Sequence, residues 1–479
     1  MRTIVDTSIQ EKTFKEPIGD MLFEISWEVT NKCGGIHTVI TSKASFLPSF
    51  YDSYFTIGPL LSFDSLPHDF IPSHPPASFS SIFSALAKKG IRCEFGVWDI
   101  RGRPKTILIH PGDKLKVSAD DIKKELWDRY GVDSLFADNS FTEPLLWAWA
   151  VGHFLEEAQK YFSQKKIIAH IHEWLAGSAL LYLHKQKSPV ATAFTTHATM
   201  LGRSLSSKRY SPDDLPSGDF ALQKAREFNI LEKFTMEKAC ALNTDAFSTV
   251  SSITANECEL FFGRKPNIVP NGISAQNMPT FEEASYNHIL NKRILKKFTL
   301  GYFFPYYTFD LKQTLFFYTS GRYEFINKGM DLCLESLAKL NKKLSSEGSK
   351  KTIVMFFFVA TQGTVRPRHD VLENINNVLS LYSSVEEERE SLQEQVILDI
   401  FSQSSQSSSS YSSSTSSNSY NSSANMNTNN YNTTNTSFCF SKSFEELFSP
   451  QFVSSLKRRF YATKKRGKPP ICTHDLSYD

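Results

Sequence analysis

Strand-like and helix-like segments alternate through the first two-thirds of this 479-residue chain, and that rhythm leaves few folds open. LFEISWEV (22–29) places Phe23, Ile25, Trp27 and Val29 on one face and Glu24, Ser26 and Glu28 on the other, the period of a half-buried strand. KKIIAHIHEW (165–174), VATAFTTHA (190–198), AFSTVS (246–251) and NIVPNG (267–272) read as further strands, with LAGSALLYLHKQK and ITANECELFF as helices between them. FFYTSGR (316–322), MDLCLESLAKLNKKL (330–344) and TIVMFFFVA (352–360) repeat the strand–helix–strand order. A βαβα series predicts a parallel sheet flanked by helices. The expected fold class is therefore α/β: two Rossmann-like units, residues 1–272 and 273–479. Ligands of such sheets bind at the carboxyl ends of the strands, and two facing sheets make a cleft.

A net charge of +3 and a 41% hydrophobic content exclude a wholly disordered chain and a nucleic-acid-coating surface. MRTIVDTSIQEKTFKEP has no apolar signal-peptide core, and IVMFFFVA (353–360) is too short to span a bilayer and reads as a buried strand. Cysteines at 33, 93, 240, 258, 333, 439 and 472 show no metal-type CxxC spacing, which fits reduced thiols. A cytoplasmic protein with no nucleic-acid or membrane partner is expected. Residues 370–401 read as one or two charged, exposed helices, and the Ser/Asn tract 402–437 as disordered. An amphipathic pattern resumes after it and ends in the basic cluster KKRGK, either a solvated helix end or a nuclear-signal or polyanion patch.

Four places could carry chemistry. KCGGIHTVITSKA, from Lys32, sets a lysine, Gly34 and Gly35 between a strand and a helix. Free N–H groups and the helix dipole suit an anion there, while a plain tight turn would need the same glycines. HIHEW puts His170 and His172 on one strand face; without a third ligand nearby, they read as a pocket rim rather than a metal pair. In FTTHATMLGRSL, His197 and Arg203 follow a strand. They suit a negatively charged donor, histidine by a directed hydrogen bond and arginine by a fork to phosphate, or else they are a satisfied core histidine and a surface arginine. In SGRYEFINKG, Arg322 and Lys328 form a diphosphate clamp or two solvated charges. Taken together, these cations at three strand ends point to a nucleotide-sugar diphosphate.

FEISWEVTNKCGGIHTVITSKA, GIRCEFGVWDIRGRPKTIL, AHIHEWLAGSALL, VATAFTTHATMLGRSL, FSTVSSITANECELFFGRKPNIVPNG, SGRYEFINKGMDLCLESLAKLN and PPICTHDL occur in this order. They span most of residues 20–350, with a short return near 470. The chain so read resembles the eukaryotic-type glycogen [starch] synthases of glycosyltransferase family 3. The resemblance implies a GT-B fold, two facing Rossmann-like domains with a helical, oligomer-building insertion in the second, here about 369–470. It implies retaining transfer of glucose from UDP-glucose to the non-reducing end of glycogen or a related α-1,4-glucan, without a cofactor or metal. Lys32, Gly34, Gly35, His197, Arg203, Arg322 and Lys328 would bind UDP-glucose, with His197, Arg203, Arg322 and Lys328 catalytic. A glycogenin-type primer and a homotetramer are the partners it implies.

The resemblance also implies activation by glucose 6-phosphate through FEEASYNHILNK, where Glu283, His288 and Lys292 are the candidate contacts. Glu282 and Ser285 depart there from the expected His and Gln, and Cys33 and His37 depart mildly from the usual aliphatic residue and Tyr. The family continues with a Glu-Pro-Trp-Gly…Glu motif and an arginine cluster that these residues do not contain. The second domain is thus expected to be incomplete and the 479-residue chain to transfer little or no glucose by itself. The alternative is an inactive relative that binds glucan or assembles with an intact synthase.

Overall fold

The computed structural model describes residues 19–62, 65–110, 117–211, 214–274, 278–360, 365–407 and 447–475. The chain divides into two compact units. One runs through Met278 and takes in Glu324–Leu334; the other comprises Pro279–Tyr323 and Glu335 onward.

The first unit is built on β1 (Met21–Ile25), β2 (Ser53–Pro59), β3 (Phe70–Pro72), β4 (Arg92–Trp98), β5 (Lys105–His110), β6 (Ile167–His172), β7 (Ala191–Thr196), β8 (Ala246–Thr249) and β9 (Asn267–Ile268). They form one sheet in the order β3-β4-β5-β2-β1-β6-β7-β8-β9. Seven strands are parallel as expected, but β4 runs antiparallel to β5 and β3 antiparallel to β4, so the sheet is mixed at that edge. Its helices are α1 (Gly35–Lys43), α2 (Ala77–Ala87), α3 (Ala119–Tyr130), α4 (Asn139–Tyr161), α5 (Gly177–Lys185), α6 (Met200–Ser207), α7 (Gly218–Glu227), α8 (Leu231–Asn243) and α9 (Ser252–Phe262).

The alternation at 22–29 is real, but its consequence differs from the expectation. β1 ends at Ile25, and all five of its residues are buried. Phe23 stacks on Phe55 at 5.3 Å and meets Phe154 of α4 edge-on at 5.5 Å. Leu22, on the opposite face, packs with Ala44 and Tyr54. A parallel strand at the centre of a helix-covered sheet has no solvent face, so the polar residue Glu24 is as buried as its neighbours, at 0% exposure.

The second unit contains α10 (Phe281–Phe303) and the parallel pair β10 (Thr314–Arg322) and β11 (Thr352–Ala360). It also holds most of α11 (Met330–Ser346), then α12 (His369–Ser407) and α13 (Pro450–Ala462). A short antiparallel pair joins β12 (Arg366–Pro367) to β13 (His474–Asp475). The strand IVMFFFVA is not the buried strand expected of it. Among the described residues β11 pairs with β10 alone, and Phe358 is 49% exposed. The charged segment after 369 is a single 39-residue helix that runs on through Ser407, so the first residues of the Ser/Asn tract are helical. The rest of that tract lies outside the described residues, and the six described cysteines are free thiols.

α4 and α5 approach closely because Gly152 lacks a side chain. A Cβ there would lie 2.8 Å from Cβ, Cγ and Cδ1 of Tyr182. Tyr182 has little freedom to yield, since its hydroxyl donates to Glu156 Oε2 at 2.6 Å and lies 2.8 Å from His153 Nδ1. Gly152→Val should therefore destabilise the chain by about 1–3 kcal/mol in urea unfolding. An unchanged midpoint would mean that the two helices part freely.

Candidate active site

The parallel strands β1, β6 and β7 are neighbours, and register pairs Glu24 with His170 and His172 with Thr195. Glu24, His170 and His172 thus share one sheet face near the strands' carboxyl ends. Glu24 is the hub. Its Oε1 lies 3.0 Å from His172 Nε2 and 3.8 Å from His170 Nδ1, and it also takes the Lys43 ammonium from the last turn of α1. Its Oε2 accepts from the Tyr54 hydroxyl of β2. Burial, then the Glu24 charge, then the bond donated to Glu24 hold the Tyr54 phenol well above its ordinary range.

The structure supplies the third ligand-type residue that sequence spacing lacked. One ligand atom each from Glu24, His170 and His172 lies within 4.8 Å of the others. Lys43, however, places its ammonium on Glu24 Oε1, the oxygen a metal would need, so the carboxylate's charge is already compensated from within the chain. His170 Nε2 lies 2.8 Å from Thr195 Oγ1, and His172 Nδ1 lies 3.0 Å from His197 Nε2. The cluster is a buried polar network whose end is the half-buried His197.

Beyond β7 the turn carrying His197 is gripped by three acidic side chains. Glu173 Oε1 accepts from His197 N at 2.8 Å and Ala198 N at 3.3 Å. Glu237 accepts from Met200 N at 3.1 Å. Thr199 caps α6 by accepting from Gly202 N and donates to Glu257 Oε2 at 2.6 Å. Burial, reinforced by Glu173, pushes Glu237 well above its ordinary value, and burial raises Glu257 against the bond from Thr199. Sequence reasoning missed all three. Glu173 adjoins the histidine pair in HIHEW, but Glu237 and Glu257 sit inside ordinary helical patterns with no local sign of their role.

Arg203 stands on α6, with Glu324 Oε1 3.8 Å from its guanidinium. Asn327 Nδ2 donates to the Arg203 carbonyl at 3.1 Å, and Arg209 pairs with Asp331 at 2.6 Å. These contacts tie the 324–334 segment to α6 and the turn that follows it, so Lys328, exposed in that segment, shares a unit with Arg203 and His197. Arg322, also exposed, ends β10 in the other unit.

At the glycine turn Lys32 is exposed, and Gly35 has open space where a side chain would begin. The N-terminus of α1 already holds an anion. Glu28 Oε2 accepts from His37 N at 2.8 Å, and a Cβ on Gly34 would lie 2.6 Å from Glu28 Oε1. A side chain at position 34 would have to displace the Glu28 carboxylate from its place beside α1. On α10 Glu283 and Thr280 form a reciprocal capping box, which commits Glu283 to the helix end. His288 and Lys292 lie one helical turn apart on the same helix.

Burial pushes Glu173 up from 4.5 to about 7, against the pull of the His197 and Ala198 N–H groups and of Arg203. Between those values the folded chain keeps a proton that the unfolded chain has lost, so rising pH favours unfolding. The contribution is fully present below the unfolded value and is lost by about 7, about 3 kcal/mol in all. Glu173→Gln retains an oxygen for His197 N and should remove this slope from denaturant unfolding across the window. Parallel pH profiles for variant and wild type would rule Glu173 out as the titrating group.

A family model described as glycogen synthase matches residues 24–409. Glycogen [starch] synthase isoform 2 of Saccharomyces cerevisiae is 38% identical over 348 residues, 70% of this chain and 49% of that protein. The glycogen [starch] synthase of Dictyostelium discoideum is 32% identical over 489 aligned residues, covering 99% of this chain and 50% of its own length. Among solved structures, the catalytic domain of Starch Synthase IV from Arabidopsis thaliana, bound to ADP and acarbose, aligns at 13% identity and a TM-score of 0.38, covering 75% and 76%. The chain spans about half the length of these two curated relatives. A match over most of its residues, with relatives above 30% identity, makes the chain a member of the glycogen synthase family.

Proposed function

We propose that this chain carries residues of the donor site of a glycogen synthase. That enzyme transfers glucose from UDP-glucose to the non-reducing end of an α-1,4-glucan with retention. The observation that carries the reading is the link of Asn327 to the Arg203 carbonyl, which sets Lys328 and Arg203 in one unit with His197. Lys32, Arg203 and Lys328, all of one unit, hold the diphosphate, while Gly34 and Gly35 let it approach the backbone; the family resemblance, not the geometry, adds Arg322 to that role. His197 lies beside the glucose. The departing UDP gains charge as its bond to glucose breaks, so these fixed cations stabilise the transition state more than the bound substrate. The acceptor hydroxyl attacks from the face that the phosphate leaves, which retains configuration without a carboxylate nucleophile. Neither a metal nor a cofactor is needed, because side-chain cations neutralise the leaving group.

The same reading includes a cytoplasmic protein; no described helix is long and apolar enough to cross a membrane. It includes glycogen as acceptor, a glycogenin-type primer and a homotetramer. His288 and Lys292 would take the phosphate of glucose 6-phosphate, and Glu283 has the smaller part, since its carboxylate caps α10.

Calorimetric titration of UDP into the 479-residue chain tests the donor site. Arg203→Ala should weaken binding roughly 10- to 100-fold, the worth of one or two charge-assisted bonds to phosphate. Lys208→Ala, on the exposed end of α6, should bind as wild type does. Equal affinity in the Arg203 variant removes that residue from the site. In a form of the protein that incorporates glucose into glycogen, Arg322→Ala should cut that incorporation on the order of 100-fold. A near-wild-type rate would exclude Arg322 from catalysis.

A further inference from the structure

Glu24, His172 and His197 form a continuous hydrogen-bonded chain from the buried middle of the sheet to the mouth of the site. Glu24 Oε1 lies 3.0 Å from His172 Nε2, and His172 Nδ1 lies 3.0 Å from His197 Nε2. The chemistry of these groups leaves one assignment of protons. Glu24, paired with Lys43, can only accept, so His172 Nε2 carries a hydrogen. Burial, then Lys43, then His197 hold His172 well below its ordinary value, so the ring is neutral and its Nδ1 bears a lone pair. That lone pair must meet a donor, which puts the proton of His197 on Nε2. His197 is neutral as well, lowered to about 4 by burial and Lys43, with Glu24 opposing. Its Nδ1 is then an acceptor, and no hydrogen bond to that atom occurs among the described residues.

The groups around the chain preserve this order. Lys43 on α1 shares Oε1 of Glu24 with His172, and Tyr54 on β2 donates to Oε2. His170 turns its Nε2 to Thr195 on β7, and its Nδ1 stands back 3.8 Å from Glu24. The backbone of His197 is fixed independently, through the bond from its N–H to Glu173.

We propose that Glu24 and His172 are positioning residues that hold His197 as the neutral Nε2–H tautomer, with Nδ1 presented as a hydrogen-bond acceptor for a sugar hydroxyl. In this state His197 cannot donate to a phosphate oxygen through Nδ1, which separates it chemically from the cations Arg203 and Lys328. The relay itself stands on the hydrogen-bond distances and the burial of the two rings; only the identification of the bonded group as a sugar hydroxyl rests on the proposed function.

The test is long-range proton–nitrogen correlation of the chain labelled with nitrogen-15 in its histidine rings, which reports the protonated nitrogen of each imidazole. At about neutral pH, both His172 and His197 should show the Nε2–H tautomer. His172→Phe removes the acceptor, and His197 should then become a mixture of tautomers. His170→Phe removes the neighbouring, partly buried ring of the same cluster and should leave His197 unchanged. A proton on Nδ1 of His197 in the wild type overturns the relay. So does an unaltered His197 in a folded His172 variant, with folding checked by thermal melting. Should His172→Phe fail to fold, the wild-type spectrum still decides. Adding UDP-glucose should shift His197 Nδ1 while UDP alone leaves it in place. An equal shift with UDP overturns the sugar assignment. Failure to bind either nucleotide overturns the functional reading, and the tautomer measurement still decides the relay.

Discussion

A carboxylate buried in the middle of a parallel sheet governs the arrangement of this molecule. Taking Glu24 out of water costs several kcal/mol unless every lone pair is answered. Each answer comes from a different element: Lys43 from α1, Tyr54 from β2 and His172 from β6. The anion therefore dictates how α1 lies across the sheet and which way the histidines on β6 turn. An apolar side chain there would fill the space and specify none of this.

From that hub, order passes outward to the mouth of the site. His172 hands its direction to His197, and the turn that bears His197 is held by Glu173, Glu237 and Glu257 through backbone N–H groups and Thr199. Of the first-turn backbone donors, His37 N of α1 is taken by Glu28 and Met200 N of α6 by Glu237. The candidate anion-binding cations Lys32, Arg203 and Lys328 all belong to one unit. The 324–334 segment, though distant in sequence, joins that unit through bonds to α6 and to Arg209 just after it.

Much of the architecture was legible because it is local. The period of two in β1, β6 and β7, and the glycines and caps between strands and helices, are written in neighbouring residues. The motif residues His197, Arg203 and Lys328 could be named for the same reason. Errors arose where burial depends on what lies above and below. Glu24 alternates like a solvent-facing residue, yet helices cover both faces of its strand. IVMFFFVA is apolar enough for a core strand, yet it pairs with β10 alone among the described residues. The antiparallel edge β3–β4 follows from chain reversals outside the segments whose periodicity is clear.

The order of residues by itself determined an α/β chain of the glycogen synthase family, with basic groups at the ends of particular strands. It could not say that Glu24 and His172, 148 positions apart, would meet. That meeting depends on β1 taking β6 as its neighbour in one register. A strand's own side chains set its period but not its partner; the pairing is decided by packing of the whole sheet against its helices. The proton on His197, and with it what that ring can bind, is a consequence of that packing alone.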